Sequence, residues 1–274
     1  MELFLQSWLY LGYAVLLGAI VGSFLNVFLY RFHTGRSLNG NSHCLSCQLR
    51  LEWYELVPLL SYLILRARCR SCGSWIPPRY FVVELLTALA FLLAATQFSS
   101  IGWQLGAALY LSLLICILVY DIYHTIIPDE FTVTLLALSV LPPLYEFARF
   151  MQPSDLIYPF LAAVAAAGPF LFLWVISDGR WIGLGGAKLA FPLGMVVGIE
   201  AVFSFVVLAF WIGAIISVAI MGVQYLSRGQ LSLRIFGRPL TMKSEVPFAP
   251  FLILSFLVTY CMDASVLSFV DHVF

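Results

Sequence analysis

Charge is what this chain has least of. Only 10% of its 274 residues are Asp, Glu, Lys or Arg, while 62% are hydrophobic. So much apolar mass exceeds what a soluble core of this length needs, and so little charge cannot coat a soluble surface. The two signs cancel to a net charge of zero, with the basic residues spread over loops beside apolar runs. That pattern argues against a nucleic-acid patch, and no nucleic-acid partner is expected. The N-terminal run lacks a basic n-region and a small-residue cleavage site and is too long for a signal peptide. It is expected to stay as a membrane anchor. No inverted repeat is evident, which weakens a transporter or channel reading. A glycine-rich strand–turn–helix fingerprint is missing as well, so no nucleotide-type pocket is legible from pattern.

What the chain has in quantity is apolar runs. Residues 8–30, 81–97, 105–120, 131–147, 156–176, 187–199, 202–225 and 248–263 form eight candidate spans, two of them short. About 20 apolar residues cross the hydrocarbon core as a helix. The expected class is therefore an all-α polytopic membrane protein. Of the 14 basic residues, Arg149 alone falls in one alternating set of loops. Arg31, Arg36, Arg50, Arg66, Arg68, Arg70, Arg79, Arg180, Lys188, Arg228, Arg234, Arg238 and Lys243 fall in the other. The positive-inside rule makes that other side cytoplasmic and puts both termini outside.

Between the first two spans lie Cys44-Leu-Ser-Cys47 and Cys69-Arg-Ser-Cys72. Two CxxC pairs at this separation suit one tetrahedral zinc held by four thiolates. Two disulfides, or a redox or catalytic metal, are the alternatives. A cytoplasmic loop disfavours disulfides, and four cysteines leave no open position for water. A structural zinc module over residues 31–79 is expected, between an N-terminal helix at 1–30 and a membrane domain at 80–274. So small a module would draw much of its folding energy from the metal. His33 and His43 read as solvated, and Cys116 and Cys261 as packing residues.

Asp121 closes an apolar run at the expected cytoplasmic edge, where an ionisable group is costly unless it faces a polar cavity. A helix-end aspartate in the headgroup layer is the plainer reading. Pro128 should start the next helix, with Asp129 and Glu130 in its first turn, where negative charge suits the dipole. Gly183 and Gly185 open the sixth run, returning the chain to the same face as Asp121 and permitting close backbone approach. Two carboxylates facing each other there would share a proton and activate a water. Only the first is present, because position 186 is glycine.

With these residues on the page, the chain resembles the bacterial type IV prepilin peptidases, membrane aspartic peptidases of the GxGD class. The resemblance covers nearly the whole chain. Gly22-Ser-Phe-Leu-Asn-Val27 with Arg31 is similar to the family's N-terminal signature, and the paired CxxC to its zinc loop. Trp53-Tyr-Glu-Leu-Val-Pro-Leu-Leu-Ser61 is similar to the linker, and Arg79-Tyr80 with Glu84 to the start of the second span. Asp121 with Ile127-Pro128-Asp129 is similar to the first catalytic segment. Residues 183–189, with Lys188 intact, match GxGDxKL except at Gly186. Val246-Pro-Phe-Ala-Pro250 is similar to the entry of the last span.

The resemblance implies a multi-pass enzyme of the bacterial inner membrane. It would cut the basic leader from prepilins or pseudopilins on the cytoplasmic side, with Asp121 and position 186 as the catalytic pair. It also implies N-methylation of the new terminus with S-adenosylmethionine. Prepilin and membrane lipid are the implied partners. Glu52, Glu55, Glu84 and Asp178 are candidates to meet the basic leader, each with a solvated or capping acid as the alternative. With Gly186, the chain as written is expected to be catalytically impaired, through an engineered substitution or as a natural variant. A non-catalytic pilin-binding or assembly protein on the same fold is the competing reading.

Overall fold

The computed structural model describes residues 2–35, 37, 39–226 and 247–262. Arg36, the basic residues Arg228, Arg234, Arg238 and Lys243, the segment start Val246 and both chain ends lie outside the described residues. The helices are α1 (Glu2–Arg31), α2 (Leu60–Ile64), α3 (Arg79–Gln97), α4 (Ile101–His124), α5 (Asp129–Phe150), α6 (Ser154–Ser177), α7 (Leu184–Val197), α8 (Val202–Leu226) and α9 (Ala249–Met262). A 3₁₀ turn, Trp53–Leu56, precedes α2. Among the described residues, α1, α3, α4, α5, α6 and α8 are long and apolar enough to cross a membrane, and α7 and α9 are shorter apolar helices. The eight apolar runs of the sequence are these eight helices.

The protein forms two compact units, Met1–Cys116 and Ile117–Phe274, with the division inside α4. In the first, α1 packs on α3 through small residues. A Cβ at Gly18 would lie 2.7 Å from Thr87 O, and one at Gly22 would lie 2.7 Å from Glu84 Cα. Neither fits, so Gly18 and Gly22, four apart on one helix face, set how closely the two backbones approach. Asn26 of α1 donates from Nδ2 to Tyr80 O at 3.0 Å, tying α1 to the first turn of α3. Large apolar side chains such as Leu16, Ile20 and Leu89 point outward. Lipid as solvent favours that arrangement, and the inward faces are small or polar.

In the second unit α7 is the central element, touching α5, α6, α8 and α9. Leu189, Ala190 and Leu193 are completely buried. Its 14 residues reach about 21 Å at 1.5 Å per residue, less than the six long apolar helices. It is a core helix of the bundle and stops at Gly198, whose φ of +84° suits glycine. Against α6 the approach is closer still. A Cβ at Gly194 would lie 2.3 Å from Ala166 Cβ and 2.9 Å from Ala162 O. Of the prolines inside these helices, Pro192 of α7 is buried, whereas Pro169 of α6 is exposed.

Candidate active site and metal centre

Asp121 sits in the last turn of α4 and is 4% exposed. The helix ends because Thr125, at φ +54°, closes back with its N–H on Asp121 O at 2.8 Å. Residues 126–128 then run extended into α5. Pro128 is the N-cap of that helix, with Asp129 and Glu130 in its first turn. That agrees with the sequence pattern to within one position. The Asp121 side chain points at the start of α9, where Oδ2 accepts the Ala249 N–H at 3.0 Å. The positive end of the α9 backbone dipole meets this carboxylate.

Gly186 is buried in the first turn of α7. A Cβ there would rest 3.6 Å from Ile182 Cγ2 and 3.7 Å from Phe248 Cδ1, ordinary contact distances. Nothing in the packing therefore requires glycine at 186. Phe248 is the residue before Ala249, so Asp121 and position 186 both border the 248–249 segment. An aromatic cluster holds that segment in place: Phe248 lies 5.4 Å from Phe170 and 5.7 Å from Phe210, which are themselves 5.1 Å apart.

The two motif glycines differ. Gly185 packs on Ile127, where a Cβ would meet Cδ1 at 3.3 Å, so the 183–186 turn and the Asp121–Pro128 strap are close neighbours. Gly183 has φ −71° and open space around its Cβ position. The expectation that both glycines serve close approach is thus corrected: only Gly185 does, because Gly183 caps α7 in an extended conformation any residue adopts. Sequence reading placed Asp129 at the helix dipole alone, yet it also pairs with Lys188, Nζ to Oδ1 at 2.6 Å. That pair ties the start of α7 to the start of α5. Both groups are substantially exposed, so its contribution to stability is about 0–1 kcal/mol and its effect is orientation. The roles of the Ala249 N–H and Phe248 were also missed. A backbone amide contributed by a distant helix leaves no trace in residue identity.

The acids offered for leader contact are dispersed. Glu52 is exposed, and its N–H donates to Glu55 Oε2 at 2.8 Å, closing the 3₁₀ turn. Glu84 is buried and its Oε2 accepts the Leu59 N–H at 2.8 Å, where Leu59 is held at φ +61°. Asp178 is exposed at the C-terminus of α6, at φ +50°.

Cys44, Cys47, Cys69 and Cys72 converge with all four Sγ atoms within 4.8 Å of one another. All four are free thiols. Cys44 and Cys72 Sγ are 3.8 Å apart, the edge of a tetrahedron with Zn–S bonds of about 2.3 Å. The two CxxC turns share one construction. Cys44 N–H donates to Leu49 O at 2.9 Å and Cys69 N–H to Ser74 O at 2.8 Å. Gln48 and Gly73, each following the second cysteine, take φ +60° and +69°. Isolated bridges His43–Arg50 and Arg68–Trp75 frame the turns. The Cys47 and Ser46 N–H groups aim at Cys44 and, with the Ser74 hydroxyl, lower its thiol to about 6. The Ser74 hydroxyl and N–H lower Cys72 too. Thiolates so stabilised are ready metal ligands, and the four fit a zinc ion.

The family description Bacterial Peptidase A24 N-terminal domain matches residues 16–98, and that of the Type IV leader peptidase family matches residues 108–218. The chain is similar to a prepilin leader peptidase/N-methyltransferase of Bacillus subtilis, 32% identical over 92% of this chain and 94% of the relative. It is similar to proteins of the same description from Dickeya chrysanthemi, 32% identical over 71% of this chain and 77% of the relative. Another is from Pseudomonas aeruginosa, 28% identical over 87% and 85%. No solved structure matches the chain significantly.

Proposed function

The chain belongs to the type IV leader peptidase family, and from that premise we propose that it is a prepilin leader peptidase of the aspartic class lacking its second carboxylate. The observation that carries this reading is the convergence of Asp121 and position 186 on residues 248–249. In the complete pair one carboxylate takes a proton from the attacking water while the other, protonated, polarises the scissile carbonyl. Asp121 supplies one of these roles. Gly186 supplies neither, and loss of one acid–base partner costs about 10²–10⁴-fold.

The substrate is a prepilin or pseudopilin whose basic leader approaches from the cytoplasmic face, where the basic loops put the zinc module and both catalytic positions. Glu52 and Asp178 are exposed and free to meet it; Glu55 is half-buried with Oε2 on the Glu52 N–H, and Glu84 is occupied with Leu59. Zinc, held by Cys44, Cys47, Cys69 and Cys72, shapes the module and takes no part in hydrolysis. The relatives' description also supports a second activity, methylation of the new N-terminal amine, for which S-adenosylmethionine would be the donor.

Introducing Gly186→Asp tests the catalytic reading. The variant should cleave a prepilin in detergent, seen as a gel shift, at least about 10²-fold faster than the unchanged chain. Adding Asp121→Ala should return it to background. Rapid cleavage by the unchanged chain would place the second carboxylate elsewhere, with Asp178 the first to examine. Tight prepilin binding without cleavage in the Gly186→Asp variant would favour the non-catalytic adaptor.

A further inference from the structure

We propose that α2, the short helix of the zinc module, lies in the headgroup layer of the membrane and anchors the module on the bilayer, with anionic phospholipid as its partner. One side of α2 is apolar and open. Leu60, Leu63 and Ile64, spaced i, i+3 and i+4 and so on one face, are 57%, 59% and 76% exposed. Tyr62, between them in sequence, points the other way and is half-buried.

The depth of α2 is set by α3. Tyr62 stacks on Phe81 at 5.2 Å, and the Leu59 N–H donates to Glu84 Oε2 at 2.8 Å. Phe81 and Glu84 belong to the first two turns of α3, a helix long and apolar enough to cross a membrane. Groups held at contact distance share a depth, so α2 lies level with the entry of α3 into the apolar layer. The outward apolar side chains of α3 begin at that level, with Val82 and Leu85 both exposed. The open face of α2 thus stands beside a surface already in lipid.

The chain around α2 suits the headgroups. It turns back at Arg66 and Ala67, at φ +51° and +57°, and the Ile76 N–H closes on Ala67 O at 2.7 Å. Arg66 and Arg68 leave this turn exposed, directly after the apolar face. Cationic side chains flanking an apolar helix face reach phosphate oxygens while the face sits at the acyl boundary. Trp53, 77% exposed in the 3₁₀ turn that touches α2, is a residue type that gathers at this boundary. Across residues 50–70 four arginines face two glutamates, Glu52 and Glu55. Phospholipid phosphate complements that excess, whereas a basic leader would be repelled by it.

The test places an environment-sensitive fluorescent amino acid at Ile64 or, as the lipid-facing reference, at Val82, in the full chain. Each protein is reconstituted in vesicles of phosphatidylcholine and phosphatidylglycerol. Lipid carrying a nitroxide near the headgroup should quench the label at 64 as it does at 82, and aqueous iodide should quench neither well. Omitting phosphatidylglycerol, or combining Arg66→Gln with Arg68→Gln, should raise iodide quenching at 64 about twofold or more. Zinc content serves as the folding control, and the change of lipid needs no arginine variant. Quenching at 64 by iodide and not by nitroxide lipid would overturn the membrane contact. Iodide access that closes only when prepilin is added would overturn it too, and would give this face to the substrate. Iodide quenching indifferent to both lipid charge and arginine removal would overturn the anionic partner.

Discussion

Gly186 and Asp121 carry the functional argument at the residue scale. Asp121 is enclosed and aimed at a backbone amide, as a group with a chemical task is held. Gly186 has room for a Cβ and no conformational need to be glycine. A position that tolerates a side chain, in a turn whose other contacts are intact, is why restoring a carboxylate there is expected to work without repacking. The leader acids are argued at this scale too. Charge reversal by Glu52→Lys, Glu55→Lys or Asp178→Lys in the Gly186→Asp background should raise KM for prepilin several-fold and leave kcat nearly unchanged, because these acids would meet the leader's basic side chains and not the scissile bond. An unchanged KM in all three, from steady-state cleavage rates, would remove them from leader recognition.

Among the elements, the zinc module and α7 depend on different forces. The module has little core of its own, and its two CxxC turns bring together four thiolates that a zinc ion would join. Chelation should increase amide exchange across residues 42–76 and leave α5–α9 protected, as read by exchange mass spectrometry. Acidification should act similarly. The free Cys44 thiol is depressed to about 6; bound zinc competes with the proton for the same sulfur, so zinc should be released only as pH falls below that value. α7 is held by packing. Gly194→Val would force a side chain into Ala166 and should cost about 1–3 kcal/mol or more. Gly183→Ala, with open space and an ordinary φ, should cost far less. Thermal unfolding in detergent would separate the two, and equal losses would refute the packing argument.

For the whole molecule the prediction is topological. If all eight apolar helices cross, the basic residues concentrated in one set of loops should put both ends of the chain outside. A tag after Phe274 should react with an impermeant label applied to intact cells. Labelling only after the membrane is opened would invert the arrangement and move the zinc module to the other side.

Composition and spacing alone determined the membrane class, the eight apolar segments, the four-cysteine ligand set and the candidacy of Asp121. Each of these is local: hydropathy is summed along the chain, and metal ligands announce themselves by residue type and separation. Tertiary structure decided the rest. That α7 is buried follows from the stripe of Ala162, Ala163 and Ala166 facing Gly194 across two elements. Glu84, read as a candidate for the leader, turned inward to Leu59 because a backbone N–H at a strained turn came within reach. The Lys188–Asp129 pair and the Ala249 amide on Asp121 join residues tens to over a hundred positions apart. Contacts of that kind are made by packing, which no residue type or spacing in one sequence encodes by itself.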